Sequence, residues 1–226
     1  MTTTLITGAN KGLGLETARR LIEAGHTVYA GMRDLSKGAD ATALGARIVQ
    51  LDVTDQESVT SALQSIGALD VLVNNAGITG PHDPVEEFGA AQLAEVFDTN
   101  VYSIVRVTQA ALPLLAKSAN PVVVNVASGL GFPRFVVDPE RVESTISGLG
   151  YMTSKAAVIM LSLQYSKLLP TMRFNSIDPG YTATDLNGHS GHQTVTEGTD
   201  AIVTMATIGP DGPTGTFSDR TGVIAY

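Results

Sequence analysis

Short β-prone runs alternate with helically spaced segments along the whole of this 226-residue chain, and that alternation constrains the fold more than any single motif. Strands are expected at Thr3–Thr7, Thr27–Gly31, Arg47–Leu51, Val71–Asn74, Val122–Ala127 and Phe174–Asp178, with a short last one near Val223–Ala225. Helices fit Leu13–Ala24, Glu57–Ile66, Ala90–Ala116, Tyr151–Leu168 and the stretch around Val195–Thr207. Val71-Leu72-Val73 and Val122-Val123-Val124 are continuous apolar runs, as strands covered on both faces require. The expected fold is therefore α/β: a doubly wound parallel sheet of about seven strands, with helices on both faces. No linker-like tract divides the chain, so one domain over residues 1–226 is expected.

Thr7-Gly8-Ala9-Asn10-Lys11-Gly12-Leu13-Gly14 lies between the first strand and the first helix. Glycines there let the backbone turn tightly and approach a ligand. The free N–H groups at the helix start face negative charge. A glycine triplet alone is weak, but this placement points to the pyrophosphate of a dinucleotide.

Other polar or glycine-bearing motifs fall at the carboxyl ends of the remaining strands, where such a sheet holds its ligands. Met32-Arg33-Asp34 follows the second strand, Asp52-Val53 the third and Asn74-Asn75-Ala76-Gly77 the fourth. Ala127-Ser128-Gly129 follows the fifth and Asp178-Pro179-Gly180 the sixth.

Composition narrows the partners. With 43% hydrophobic and 16% charged residues the chain is an ordinary globule. The absence of cysteine excludes disulfides, thiolate nucleophiles and cysteine-held metals. A net charge of −8 disfavours nucleic acid, which needs a basic face. No stretch reaches the apolar length of a membrane span and the N-terminus carries no targeting pattern, so the cytoplasm is the expected location.

Taken together, Thr7–Gly14, Asp52, Asn74–Gly77, Tyr151–Lys155 and Pro179-Gly180 resemble, in order, the motifs of the short-chain dehydrogenase/reductase family. The Asn-Lys-Gly-Leu-Gly wording and the long gap before Tyr151 are similar to its carbonyl-reductase branch. The resemblance implies a Rossmann fold that binds NADP, with Ser128, Tyr151, Lys155 and Asn100 as the catalytic set. It also implies cofactor contacts from Gly8, Asn10, Lys11, Gly12, Leu13, Gly14, Arg33, Asp52, Val53, Asn74, Ala76, Gly77, Tyr151, Lys155, Pro179, Gly180, Thr182 and Thr184. One departure stands out: 22 residues separate Ser128 from Tyr151, more than the family usually has.

Tyr151 and Lys155 are four residues apart, so on a helix they share a face about 6 Å apart along the axis. An ammonium there is expected to pull the phenol's pKa down from its ordinary value near 10. The pair then donates a proton to a carbonyl oxygen that Ser128 holds. Asn100 lies mid-helix, where asparagine is a poor helix former. The resemblance gives it a distorted turn and a relay water to the lysine.

Arg33 ends the second strand, where a carboxylate would select NAD and an arginine accommodates a 2′-phosphate. With Lys11 it favours NADPH over NADH. Asp34 either accepts from the ribose or caps Leu35-Ser36. Asp52 either accepts from the adenine amino group or, with Thr54, caps the next helix.

His189 and His192 sit in a glycine-bearing loop without cysteine, so no metal site is expected. Residues 181–200 read instead as a substrate lid. The helices Ala90–Ala116 and Tyr151–Leu168 are apolar almost all round, so something covers their second face. A homodimer would do so. The segment between Ser128 and Tyr151, with Phe132, Phe135, Val136 and Val137, would also do so and leave a monomer. The expected activity is NADPH-dependent reduction of a ketone or aldehyde. The alternatives are a non-enzymatic NADP-binding regulator and a lyase or epimerase, although the latter usually carry longer C-terminal regions.

Overall fold

Leu5, Leu72 and Val123 face one layer of helices while their neighbours Ile6, Val73 and Val124 face the other, and all six are buried. This two-sided alternation makes the strands continuous apolar runs rather than polar–apolar repeats. The computed structural model describes residues Met1–Tyr226. Its strands are β1 (Thr3–Thr7), β2 (Thr27–Met32), β3 (Arg47–Gln50), β4 (Val71–Asn74), β5 (Val122–Val126), β6 (Arg173–Ile177), β7 (Phe217–Asp219) and β8 (Gly222–Ile224). They form one sheet in the order β3-β2-β1-β4-β5-β6-β7-β8. All pairs are parallel except β7 with β8.

The expected count of about seven strands is thus corrected to eight. Phe217-Ser218-Asp219 is too short and too polar at its end to carry a period-2 signal, and it joins the sheet because β6 offers it a free edge.

The helices are α1 (Gly12–Glu23), α2 (Ala39–Ala43), α3 (Gln56–Ser65), α4 (Ala90–Phe97), α5 (Ser103–Leu115), α6 (Pro133–Val136), α7 (Leu149–Leu168), α8 (Val195–Gly198) and α9 (Asp200–Ala206). One layer packs α1 and α9 on the sheet through Ala18, Leu21, Ile202 and Met205. The opposite layer packs α3 (Gln56–Ser65) and α5 (Ser103–Leu115) through Val59, Leu63, Val107 and Leu115. Asp55 caps α3 by accepting from the amides of Glu57 and Ser58. Asp34 accepts from the Ser36 amide, the capping alternative of its two expected roles.

Two helix expectations need correction. The single helix Ala90–Ala116 is instead α4 (Ala90–Phe97), a π-helical turn at Asp98–Tyr102, and α5. The widened turn exists because Asn100 spends its side chain on Ile78 and Ser154 rather than lying along the helix surface. The stretch Val195–Thr207 is two pieces, Val195–Gly198 and α9, joined at Thr199. Its start is as strongly signalled as any, with Thr194 and Glu197 bonded reciprocally.

The long helix Leu149–Leu168 carries Tyr151 and Lys155. The segment before it does cover part of its apolar surface: Phe132 is buried among Ile104, Val158, Ile159 and Phe217. Tyr102, Val105, Met160 and Leu168 remain exposed on the same helix pair. No helix is long and apolar enough to cross a membrane.

Candidate active site

The crossovers from β1 run one way to β2 and β3, and the chain then returns to place β4 on the other side of β1. The carboxyl ends of β1 and β4 therefore border the crevice where such sheets take ligands. The glycine loop fills that crevice, and Asn75 locks it there by donating to the carbonyls of Thr7 and Gly8 at 2.9 and 3.1 Å. The Thr7 hydroxyl accepts in turn from the amides of Asn75 and Ala76, both at 3.0 Å. A side chain at Gly14 is impossible: its Cβ would stand 2.4 Å from the Gly8 carbonyl oxygen and 2.6 Å from the Asn75 amide nitrogen. Gly8 and Gly12 have φ of 65° and 55°, in the left-handed region that glycine occupies freely. This bare backbone cradle, opening onto the start of α1, fits a pyrophosphate.

Around it, Val53 is buried and Arg33 is exposed at the rim. Burial pushes the Asp52 carboxyl up, but bonds from the Thr54 hydroxyl and amide, with the Arg33 charge, outweigh it and hold Asp52 below its usual range. Asn74 turns its side chain into the sheet, donating to Asn125 at 2.8 Å and Thr108 at 3.3 Å, so only its backbone faces the crevice region. Lys11 forms an exposed ion pair with Asp185 at 2.6 Å, which ties the glycine loop to the segment after β6. The buried Thr182 hydroxyl donates to the Pro179 carbonyl, while Thr184 lies opposite Gly12. The segment 181–200 is built rather than slack: Asn187 donates to the Thr182 carbonyl and Tyr181 bonds Ser190.

Beside the crevice lies a cavity of about 1120 Å³. Ser128, Tyr151, Pro179 and Gly180 line it together, although they come from the ends of β5 and β6 and the start of the long helix. Its apolar walls include Val85 and Phe88 before α4, Val142 and Ile146 before the long helix, and Leu186. Lys155 is buried, with its Nζ 5.6 Å from the centre of the Tyr151 ring and donating to the Val126 carbonyl at 2.7 Å. Asn100 is equally buried, its Oδ1 accepting from the Ile78 amide and its Nδ2 donating to the Ile78 carbonyl and the Ser154 hydroxyl. Both amide hydrogens are thereby used within the protein.

The electrostatics correct one expectation. Burial pushes the Tyr151 phenol up to about 12, with the neighbouring Ser128 hydroxyl only partly offsetting it. Burial also pulls Lys155 down to about 8. The expected lowering of the phenol by the ammonium is not seen; desolvation, which penalises both charged forms, and the Asp178 charge raise it instead.

His189 pairs with Asp185 at 2.8 Å and His192 packs edge-on against Tyr181, while no group of histidine and carboxylate side chains is arranged to hold a metal. Sequence reasoning missed the locking role of Asn75, which its motif contains but whose bonds depend on β4 lying beside β1. It also assigned nothing to Arg141 and Glu143, which nothing in their local sequence distinguishes.

Fold, glycine cradle and adjoining cavity together define a doubly wound protein with a dinucleotide-type site. Residues 2–194 match the family model described as short chain dehydrogenase, and the chain belongs to that family. It is 29% identical to (+)-neomenthol dehydrogenase of Capsicum annuum, over 98% of this chain and 96% of that one. It superposes on salutaridine reductase from Papaver somniferum with a TM-score of 0.82 at 26% identity, covering 96% of this chain and 99% of the other. The carbonyl reductase Sniffer of D. melanogaster shares the fold at a TM-score of 0.87 and 24% identity, with each chain covered in full.

Proposed function

We propose that this protein reduces a bulky apolar ketone or aldehyde to an alcohol with NADPH, Tyr151 acting as the proton donor. The observation that carries the reading is the meeting of Tyr151, Ser128 and Pro179-Gly180 on one cavity wall, next to the glycine cradle. The nicotinamide, when bound, supplies the hydride. Gly8–Gly14 would hold the pyrophosphate, Asp52 and Val53 the adenine, and Arg33 a 2′-phosphate. Lys11 would join it by leaving Asp185.

The Ser128 hydroxyl holds the substrate oxygen and Tyr151 gives it a proton. A phenol raised to about 12 is protonated at neutral pH but is a weaker acid than a free one, so donation depends on a neighbour that stabilises the phenolate. The phenolate is what reduction leaves behind and what the reverse reaction starts from. Lys155, anchored on the Val126 carbonyl, faces the phenol and carries positive charge when protonated, which stabilises the phenolate left behind. The apolar lining supports a hydrophobic substrate. Relatives named for neomenthol and salutaridine support the same class.

The test is NADPH oxidation over a panel of cyclic and aromatic ketones and aldehydes. Tyr151→Phe should lower kcat by about 10²–10⁴-fold while leaving NADPH binding intact. A variant as active as the parent removes the acid assignment. Silence of the parent across the panel, with NADPH still bound, would favour a non-enzymatic NADP-binding role. Arg33→Asp should shift preference toward NADH by about tenfold or more, and an unchanged ratio would remove the 2′-phosphate contact.

A further inference from the structure

Asp178, the residue before Pro179-Gly180, is 6% exposed at the centre of the site, and the mechanism above leaves it unused. Its backbone is fixed, because its amide donates to the Ser218 carbonyl at 2.8 Å, across the join of β6 and β7. Its side chain reaches in two directions. One oxygen accepts from the Gly180 amide at 3.0 Å, and the carboxylate also accepts from the amide of Gly129, the residue after Ser128. Contact with Gly129 is so close that a Cβ there would stand 2.7 Å from Asp178 Oδ2. That same Cβ would meet Glu143 Oε1 at 2.9 Å and the Phe135 ring at 3.2 Å. Gly129 is therefore the one residue type that lets the carboxylate close on the Ser128 turn.

The charged surroundings do not neutralise Asp178 directly. Arg141 is bidentate on Glu143, at 2.8 and 3.2 Å, and lies 3.5 Å over the centre of the Phe135 ring. Glu143 and Asp219 face Asp178 with like charge, Arg141 faces it with opposite charge, and Tyr151 and Lys155 face it from the long helix. A buried carboxylate among such neighbours is kept by its hydrogen bonds, and here these are two backbone amides from two different loops.

We propose that Asp178 is a positioning residue of the reduction: its ionised carboxylate clamps Gly129, and with it Ser128, to the Gly180 turn, and sets a negative charge facing Tyr151 and Lys155. The proposal rests on the reductase reading for its kinetic arm alone. Burial and the like charges of Glu143 and Asp219 hold the Asp178 carboxyl above its ordinary range, and the two amide bonds oppose that rise. The Asp178 charge favours protonated Lys155 and neutral Tyr151, the two forms that reduction needs.

The test is an NMR titration of the full chain carrying ¹³C-labelled lysine, with Lys155 assigned by its loss in Lys155→Met. In the parent Lys155 should titrate near 8. In Asp178→Asn its midpoint should fall by about one pH unit, because the charge that favoured the ammonium is gone. Asp178→Glu keeps the charge and should leave the midpoint within a few tenths of a unit. Both variants should lower kcat by about tenfold or more, because neither side chain closes on both amides, while NADPH affinity changes little. A merely structural residue would lower kcat without moving the lysine. An unmoved Lys155 in Asp178→Asn, or parental kcat in both variants, overturns the proposal. Should Asp178→Asn fail to fold, Asp178→Ser, neutral but able to accept from the Gly180 amide, is titrated in its place. A parent inactive on every carbonyl would instead remove the reductase reading, and the Lys155 titration would still decide whether Asp178 carries the charge.

Discussion

On the glycine-loop side of the crevice, contacts are made by backbone, one half-buried amide and one hydroxyl: Asn75 bonds two loop carbonyls, the Thr7 hydroxyl accepts from two amides, and no Cβ fits at Gly14. Across the cavity, residues 129–150 are held by long side chains, with Arg141 paired to Glu143 and stacked on Phe135, while Val137, Val142 and Leu149 stay exposed. A backbone cradle tolerates almost no change, because Asn75 and Thr7 each tie it with two hydrogen bonds and Gly14 leaves no room for a Cβ. The outer part of that wall, held by a partly exposed ion pair and a cation over one ring, has more freedom, since such contacts are individually weak. The difference separates a side that must present one shape to a dinucleotide from a side free to vary with substrate.

The sharpest way to break this contrast is Gly14→Val. Its side chain meets Gly8 and Asn75, so the loop must move. We expect a loss of about 3 kcal/mol or more in urea melts and no measurable NADPH binding by fluorescence. A stable variant with parental affinity would show that the cradle is not rigid.

The buried pair gives the next effect. Lys155 titrates near 8 in the folded chain against an ordinary value of 10.5, so the folded state binds fewer protons between those values. Unfolding free energy therefore rises with pH across that window, by up to roughly 2–3 kcal/mol. The Tyr151 shift, from 10 to about 12, has the opposite sign and acts only above pH 10. Urea melts from about pH 7.5 to about pH 10 should show the rise in the parent and lose it in Lys155→Met. A flat parental profile would place the ammonium in water.

The smallest effect is expected at Arg141→Ala. Melts should shift by under about 1 kcal/mol, given the partial exposure of the pair. KM for the carbonyl substrate should rise several-fold, about 3–10, with NADPH affinity unchanged. Equal losses for both ligands would mean that the two sides are not separate.

The layers of the fold were legible because Val71–Val73 and Val122–Val124 can only be strands buried on both faces, and Leu13–Ala24 only a helix following a glycine turn. The glycine loop and the Tyr151–Lys155 spacing were legible for the same reason: each is a local pattern, complete within one turn or one crossover. The π-turn at Asn100 was expected only through the family resemblance and not from local pattern, because its cause is a pair of bonds to Ile78, 22 residues away. Nor was β7, whose three residues pair only because β6 leaves an edge.

What the order of residues settled was which chemical groups sit on which strand ends: glycines after β1, Ser128 after β5, Pro179-Gly180 after β6. Their mutual distance, and with it the environment of Tyr151, came only from packing. Desolvation depends on everything around a group rather than on its neighbours in the chain. A lysine one turn away promised a more acidic phenol, whereas burial in the folded interior pushes that phenol up instead.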